Sequence, residues 1–552
     1  MKPRLEDLTL REKIGQTAIF RFDTLREIDD FKKYFKENPV GASWSMVNRP
    51  DIYERLAELL GKDYSETYVD DKYKDYLNMV NELQRVPIVS VIDAESGIGG
   101  GNFPGHEKLP SPISLGATKS KELAYEFGKA LGKDLRLAGV RWYWGPVADN
   151  AGVYKGPRAL TADNEVNCEL LAEMIRGVQS EGVAACAKHF PGSDPLEYRD
   201  SHFCANVYSQ SYEYWEENQG KEFKACIDAG VASIMVGHKS FRAVDDTMVN
   251  GALLPATLSH KILTGLIKEK LGFKGVVITD DVYMKAMSGV YGLKRGYIES
   301  IKAGADMILG PVEPEYIDII EEAVKNGEIS EERINDACQR VLDMKERFGL
   351  FDLETYTYPT EQEREEAREG IREVSRKITE NSITLVANYN NLLPINPKKI
   401  KKVKLVYIGY SELCFDNLKY AAEEFEKHGA VCDIQRDFCK KDNETLKDYD
   451  LIIYSTYIGH HQPKGGMHFY GKECDVMRSI MIEELDKSMG VSFGCTNIYF
   501  EYFSTAKTFV NAYSPNKAAI VNFVKALYGE IEFADYHPFP LNPINRTNDI
   551  NM

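Results

Sequence analysis

The chain has 552 residues, of which 43% are hydrophobic and 28% charged, an ordinary balance for a globular protein of roughly two to four domains. The formal net charge of −17 lacks the basic excess of nucleic-acid-binding proteins, so we expect no nucleic-acid partner. No run of about 18 apolar residues occurs, which predicts no membrane-spanning helix. Because the N-terminal segment lacks the apolar stretch and cleavage site of a secretory signal, we expect a cytoplasmic protein whose ten cysteines are reduced.

Short β-branched apolar runs alternate with helical patterns over the first two thirds of the chain. Strands are predicted at 87–94, 140–149, 183–190, 231–238, 274–281 and 305–310. Between them, segments such as 119–137 and 163–180 have apolar residues at three- and four-residue spacing, which predicts helices; Asp163 or Asn164 is the predicted cap of the second. This alternation predicts a TIM-like (β/α)8 barrel over residues 1–350, with an open doubly wound sheet as the alternative.

The remaining chain predicts a connector and a smaller domain. Residues 351–380 are densely charged with a helical pattern, which indicates a connector helix. A second α/β segment follows over 381–552, with strands predicted at 383–388, 403–410, 450–457 and 508–514 and a helix at 475–488. The predicted fold class is therefore α/β: a barrel followed by a smaller α/β sandwich domain.

Polar residues cluster where the predicted strands end. They are Asp93, Asp149, Lys188, His189, His238, Asp280 and Asp281. Both a barrel and a doubly wound sheet bind ligands at the carboxyl ends of their parallel strands. We therefore predict the functional site at this edge.

The loop after the strand at 183–190 carries Asp200-Ser201-His202. A carboxylate close to an imidazole can hold its tautomer and stabilise the charged ring, which suits proton transfer near neutral pH. The simpler interpretation is an incidental pair on a surface loop.

Two adjacent carboxylates, Asp280 and Asp281, end the strand at 274–281. Successive side chains of a strand point to opposite faces, so one of them can enter a pocket while the other turns away. A carboxylate at this position can attack an anomeric carbon. The alternative is an ordinary helix N-cap.

Two further segments contain residue types that can bind a nucleotide cofactor or a metal. The glycines of 91–105 follow the order of neither a dinucleotide fingerprint nor a P-loop, so no nucleotide cofactor is expected. His460, His461, His468 and Cys474 could hold a metal, but their spacing matches no compact zinc pattern. We expect neither a metal nor a cofactor.

Several motifs together resemble glycoside hydrolase family 3, in its β-N-acetylglucosaminidase branch. The most specific are KHFPG at 188–192 with DSH at 200–202, followed by TDD at 279–281. Segments at 8–16, 91–97, 156–165, 301–309 and 510–541 resemble other parts of the family pattern in the correct order. The resemblance therefore extends over nearly the whole chain.

The resemblance implies a role for each matching residue. Asp280 corresponds to the nucleophile that forms the glycosyl-enzyme, and His202 to the general acid/base with Asp200 as its partner. Asp281 has no direct role by this comparison. The implied sugar-contacting or pocket-lining residues are Asp93, Arg158, Lys188, His189 and His238.

The implied activity is that of a retaining exo-β-N-acetylhexosaminidase, which removes a terminal GlcNAc-like unit from a small glycan or muropeptide. The expected partner is this small carbohydrate, and the expected state is a monomer or homodimer. Three alternatives remain: a β-N-acetylglucosaminide phosphorylase, a β-glucosidase or β-xylosidase, and a non-catalytic sugar-binding relative. The phosphorylase is motivated by the histidine acid/base, which tolerates an incoming phosphate better than a carboxylate would. The other two are motivated by departures from the family pattern, among them Ser193 and Asp194 where a His-Gly pair is usual.

Overall fold

The computed structural model describes residues 2–45, 49–99, 103–150, 156–197, 199–311, 315–353, 355–459 and 469–539. The chain divides into two compact units. Unit 1 consists of Met1–Lys108, Tyr125–Asp149 and Leu171–Gly370, and unit 2 of Leu109–Ala124, Asn150–Leu170 and Ile371–Met552. The domain bounds predicted from the sequence are continuous, whereas two early segments of the chain belong to unit 2.

In the described residues, unit 1 contains a barrel of eight parallel strands. These are β1 (Ala18–Arg21), β2 (Ala42–Trp44), β3 (Val89–Ile92), β4 (Trp142–Tyr143), β5 (Ala184–Phe190), β6 (Ser233–Val236), β7 (Val276–Thr279) and β8 (Ile308–Leu309). They are hydrogen-bonded in the order β7-β6-β5-β4-β3-β2-β1-β8. A bridge between Ile278 and Met307 joins the two ends of this order. The predicted (β/α)8 barrel is confirmed, and the open doubly wound sheet was the wrong alternative.

The barrel strands form because short runs of β-branched and small apolar residues are buried on both faces, as is usual for parallel sheets. The interior core includes Ile19, Ala42, Val91, Trp142, Trp144, Cys186, Met235, Ile278 and Leu309. Strand β4 is shorter than the predicted 140–149. Pro146 has no backbone N–H to donate to a sheet ladder, which is consistent with the early end of β4.

The helices cover the strands with their apolar faces. In the described residues they are α1 (Leu10–Gly15), α2 (Phe31–Glu37), α3 (Pro50–Leu60), α4 (Val69–Leu83), α5 (Pro112–Thr118), α6 (Lys121–Leu137), α7 (Asn164–Ser180), α8 (Tyr212–Glu217), α9 (Gln219–Asp228), α10 (Lys285–Tyr291), α11 (Leu293–Ala303), α12 (Tyr316–Lys325), α13 (Glu331–Arg347), α14 (Glu361–Glu380), α15 (Glu412–Lys427), α16 (Lys472–Ser479), α17 (Ile498–Tyr502) and α18 (Lys517–Tyr528), with a π-helix at Lys261–Lys270. Asp163 caps α7, because its Oδ1 accepts from the amides of Glu165 at 3.0 Å and Val166 at 3.2 Å. No helix in the part of the chain that the structure describes is long and apolar enough to cross a membrane.

The sheet of unit 2 has six strands in the described residues. They are β9 (Thr384–Asn388), β10 (Lys402–Gly409), β11 (Val431–Gln435), β12 (Leu451–Tyr457), β13 (Ser488–Ser492) and β14 (Thr508–Asn511), in the order β9-β14-β13-β12-β10-β11. Only β9 is antiparallel to its neighbour. Apolar residues of α15 and α18 pack on one face, and those of α16 and α17 on the other. This confirms the predicted α/β sandwich.

Candidate active site

The predicted site residues of unit 1 lie at or just beyond the carboxyl ends of the barrel strands. Asp93 follows β3, Lys188 and His189 belong to the end of β5, and Asp280 follows β7. Parallel strands of a barrel all end at one face, where the loops that bind substrates are located. The fold therefore brings these side chains to a common edge, as the sequence predicted.

Lys188 is held between two carboxylates. Its Nζ, on a side chain only 1% exposed, donates to Asp93 and lies 2.9 Å from Glu95 Oε1. A buried ammonium is tolerated when carboxylates compensate its charge. The Asp93 side chain remains 40% exposed, which leaves it able to accept from a sugar hydroxyl. Sequence reasoning gave no role to Glu95, although it belongs to the same D-x-E segment as Asp93.

His189 is oriented by a buried aspartate. Its Nδ1 donates to Asp149 Oδ2 at 2.8 Å, and Ser193 Oγ donates to the other oxygen of Asp149 at 3.2 Å. A carboxylate on Nδ1 fixes the tautomer and the orientation of the ring. Ser193, one of the departures from the family pattern, thus supports a predicted site residue.

The second departure has a structural role in the same loop. The Asp194 side chain is buried and accepts from the amide of Leu196 at 2.8 Å and from the amide and hydroxyl of Ser209, the latter at 2.8 Å. Such bonds from backbone and hydroxyl donors order a loop. Asp194 therefore shapes the segment that leads to Asp200.

Asp200 and His202 form a hydrogen-bonded dyad. Asp200 Oδ1 accepts from His202 Nδ1 at 2.6 Å and from the His202 amide at 2.9 Å. The His202 side chain is 29% exposed, so the dyad is only partly buried. The incidental surface pair considered from the sequence is thus a specific contact, and its catalytic role stays a prediction.

The dyad loop is attached to the segment that follows Asp280. The amide of Lys285, at the start of α10, donates to the His202 carbonyl at 3.2 Å. The next amide, that of Ala286, donates to the Ser201 carbonyl at 3.0 Å. These two bonds place the predicted acid/base and the predicted nucleophile on one side of the barrel edge.

Asp280 is in an environment that favours its charged form. Burial opposes ionisation, but the His189 ring and the Asp281 amide, which donates to Asp280 Oδ1 at 2.8 Å, hold the pKa of Asp280 below its usual value of 3.8. An ionised carboxylate is the form required of a nucleophile.

His238 lies beneath this site. It is 1% exposed, its Nε2 donates to the Asp281 carbonyl at 2.8 Å, and its Nδ1 accepts from Thr257 Oγ1 at 2.8 Å. Burial lowers the pKa of His238 against the opposing effect of Asp280, so the ring is neutral. Both ring nitrogens have internal partners, and the bond from Nε2 holds the backbone of Asp281. The expectation that His238 lines the pocket stays a prediction.

The remaining predicted residues belong to unit 2. Arg158 ends a short 3₁₀ turn, Gly156–Arg158, in unit 2. Its contact with a sugar stays a prediction. His460, His461 and His468 fall outside the described residues. In the described part of the chain, no group of three His, Cys, Asp or Glu side chains is arranged to hold a metal ion.

The sequence is similar to a known protein family and to several known enzymes. Residues 9–344 match the family described as Glycosyl hydrolase family 3 N terminal domain. The chain is 29% identical over 345 residues to a β-N-acetylglucosaminidase/β-glucosidase of Cellulomonas fimi, which covers 59% of this chain and 60% of that relative. It is 28% identical over 248 residues to a β-hexosaminidase of Nitrosomonas eutropha, which covers 43% of this chain and 69% of that one.

Solved structures show the same fold over nearly the whole chain. A glycoside hydrolase family 3 β-N-acetylglucosaminidase from Paenibacillus sp. FPU-7 superposes with a TM-score of 0.78 at 25% identity, over 97% of this chain and 99% of that one. A β-glucoside phosphorylase superposes with a TM-score of 0.79 at 22% identity, over 97% of this chain and 94% of that one.

Proposed function

Because the chain belongs to glycosyl hydrolase family 3, we propose that it is a retaining exo-β-N-acetylhexosaminidase acting on a terminal GlcNAc-like unit of a small glycan or muropeptide. The observation that carries the proposal is the Asp200–His202 dyad, tied by two backbone bonds to the segment just after Asp280. The names of the bacterial relatives support an N-acetylated sugar.

In the first displacement, the Asp280 carboxylate attacks the anomeric carbon and forms the glycosyl-enzyme. The bond to the leaving-group oxygen breaks as His202 Nε2 gives that oxygen a proton. The lowered pKa of Asp280 keeps it ionised for this attack. Asp200 stabilises the charged imidazole before it releases its proton.

In the second displacement, the now neutral His202 takes a proton from water. The oxygen of this water attacks the anomeric carbon, and the Asp280 carboxylate leaves, so that the configuration is retained overall. Asp93, Lys188 and His189 bind sugar hydroxyls at the strand ends, and Arg158 is a further sugar contact. No step requires a cofactor.

One feature of the proposed mechanism favours a second candidate, phosphorolysis. After the first displacement His202 is neutral, so an incoming phosphate dianion meets no repulsion from the base. A carboxylate base would repel it. Phosphate would then replace water in the second displacement and release a sugar 1-phosphate.

The two candidates are separated by a panel of aryl β-glycosides of GlcNAc, GalNAc, glucose and xylose, assayed with and without phosphate. We expect fastest turnover of the N-acetylated substrates, with free sugar as the product in both buffers. A sugar 1-phosphate would favour phosphorolysis, and faster turnover of the glucoside or xyloside would change the sugar. Sugar binding without turnover of any substrate would support the non-catalytic alternative. The cytoplasmic location and the monomeric or dimeric state stay predictions from the sequence.

A further inference from the structure

The backbone of Asp281 is held directly beside the proposed nucleophile by two hydrogen bonds, one to each of the two peptide units that meet at its Cα. Its N–H donates to Asp280 Oδ1 at 2.8 Å, and its carbonyl accepts from His238 Nε2 at 2.8 Å. A shift of this backbone would therefore move the N–H away from Asp280. No other described residue donates to the Asp280 carboxylate, so this one bond decides which oxygen remains for attack.

The side chain of Asp281 is itself held by neighbouring groups. One carboxylate oxygen, Oδ1, accepts from the Tyr283 amide at 3.0 Å. The other lies 3.6 Å from a guanidinium nitrogen of Arg21. Gly310, after β8, leaves the room for this carboxylate, because a Cβ at that position would lie 2.9 Å from Asp281 Oδ1.

Arg21 reaches Asp281 from the far end of the sequence. It ends β1, and its guanidinium lies over the Trp44 ring, 5.4 Å from the ring centroid, at the end of the neighbouring β2. Trp44 in turn packs on Trp144 with ring centroids 5.3 Å apart. Stacking on an aromatic face restricts an arginine to one orientation. The Arg21 side chain is only 18% exposed, which strengthens its attraction to the partly buried carboxylate.

We propose that Arg21 and Asp281 are positioning residues for the nucleophile. Arg21 holds the Asp281 carboxylate, the Asp281 backbone then keeps its N–H on Asp280 Oδ1, and Oδ2 is the oxygen that attacks the sugar. Burial raises the pKa of Asp281, and the Tyr283 amide and Arg21 oppose this, so the arginine supports the charged form of the carboxylate that it holds. This inference rests on the proposed function.

The test uses kcat and KM for a dinitrophenyl β-GlcNAc, whose leaving group needs no acid, so that kcat/KM reports attack by Asp280. Arg21→Gln should lower kcat/KM on the order of 10- to 100-fold, the size of effect expected when reacting atoms are misplaced by about 1 Å. Asp281→Asn should cause a similar loss. The double variant should lose no more than either single one, since both act through one contact. Arg21→Lys should recover part of the activity.

The matched control is Arg26→Gln. Arg26 is an exposed arginine five residues along whose only ion pair in the described residues is with Glu27 at 4.0 Å. It should leave kcat/KM unchanged. Losses that add in the double variant, a raised KM at unchanged kcat, or losses explained by unfolding alone would each overturn the inference. If wild-type turnover depends on Asp280 but not on Arg21, only this inference fails. If Asp280→Ala retains full turnover, the proposed function fails instead.

Discussion

Unit 1 contains two clusters of ionisable residues that differ in the solvent exposure of their side chains. The strand-end site consists of Asp93, Lys188, His189, Asp200, His202 and Asp280, and several of its side chains are partly exposed. The buried charge cluster consists of Asp70, Asp71, Lys74, His106, Asp134 and Arg364, all with side chains at most 7% exposed.

The residues of the buried charge cluster form ion pairs with one another. Arg364 pairs with Asp70 at 2.9 Å and with Asp71 at 2.6 Å, and Lys74 pairs with the same two carboxylates. His106 Nδ1 donates to Asp134 at 2.7 Å. The same residue types therefore stabilise the fold in the buried charge cluster. In the partly exposed strand-end site they are available for chemistry.

The largest expected effect is at the strand-end site. Asp280→Ala should lower kcat/KM for an aryl β-GlcNAc by roughly 10⁴- to 10⁶-fold, as removal of a catalytic nucleophile does. The melting temperature of the variant should remain close to that of the wild type, because Asp280 accepts a hydrogen bond from only one amide among the described residues. Steady-state kinetics and calorimetry measure the two quantities. Undiminished turnover would remove Asp280 from the mechanism.

His202→Ala should show the strand-end site acting as an acid. The expected loss is about 10²- to 10⁴-fold for glycosides with poor leaving groups, and much smaller for activated aryl glycosides that leave without a proton. Asp200→Asn should lose less activity than His202→Ala, because the ring remains but its partner is uncharged. Its loss should again be larger for glycosides with poor leaving groups than for activated aryl glycosides. Equal losses on both kinds of substrate would contradict the acid role.

Arg364→Met, in the buried charge cluster, should lower stability and leave activity unchanged. Two buried carboxylates would then lose the guanidinium that pairs with both, keeping Lys74 and, for Asp70, His106, and we expect a loss of about 3–5 kcal/mol in the free energy of unfolding. Activity per folded molecule should be retained. The control is Arg376→Met in the same helix. The side chain of this arginine is 50% exposed and pairs with Glu373 and Glu380, so its loss should change the free energy of unfolding little. Similar losses in the two variants would argue against special stabilisation by the cluster.

The smallest expected effect is a pH dependence of stability. Burial opposes the charging of His106, but Asp134 and Asp70 raise its pKa from 6.5 to about 9. A raised pKa contributes stability that is complete below about pH 6.5 and is lost as the pH rises through about 9. Lys345, whose pKa burial lowers to about 7, contributes an opposite slope.

The His106 effect is therefore measured as the difference in urea unfolding free energy between the wild type and His106→Gln at several pH values. The difference should shrink as the pH rises from about 6.5 to about 9. A difference that is constant with pH would show that His106 is not charged in the folded protein.

Strands within long apolar runs were predictable from the sequence, and strands outside such runs were not. Six barrel strands were expected, and β1 and β2 were missed, because neither lies in a long apolar run. Strands β4 and β8 have only two residues each, but the sequence around each of them is apolar over a longer stretch. In unit 2, β11 is a partly exposed edge strand and β13 contains Gly490, so neither has the apolar run that marked its neighbours. Helix α16 ends at Ser479, well before the predicted 488.

The site was predictable where its residues follow strands, because all barrel strands end at one face. Contacts between distant segments were not. Neither Asp149 under His189 nor Arg21 beside Asp281 has a local pattern that pairs it with its partner. His238 was expected to line the pocket, and only the structure places both of its nitrogens in internal hydrogen bonds.

The most direct test of the central claim is to trap the glycosyl-enzyme. A 5-fluoro-GlcNAc donor with a good leaving group forms the intermediate faster than the intermediate is hydrolysed, so the adduct accumulates and can be located by peptide mass spectrometry. The account predicts one sugar on the peptide that contains Asp280, with fragment ions that assign it to Asp280 itself. An adduct on Asp281 or Asp200, or release of the leaving group without any adduct, would contradict it.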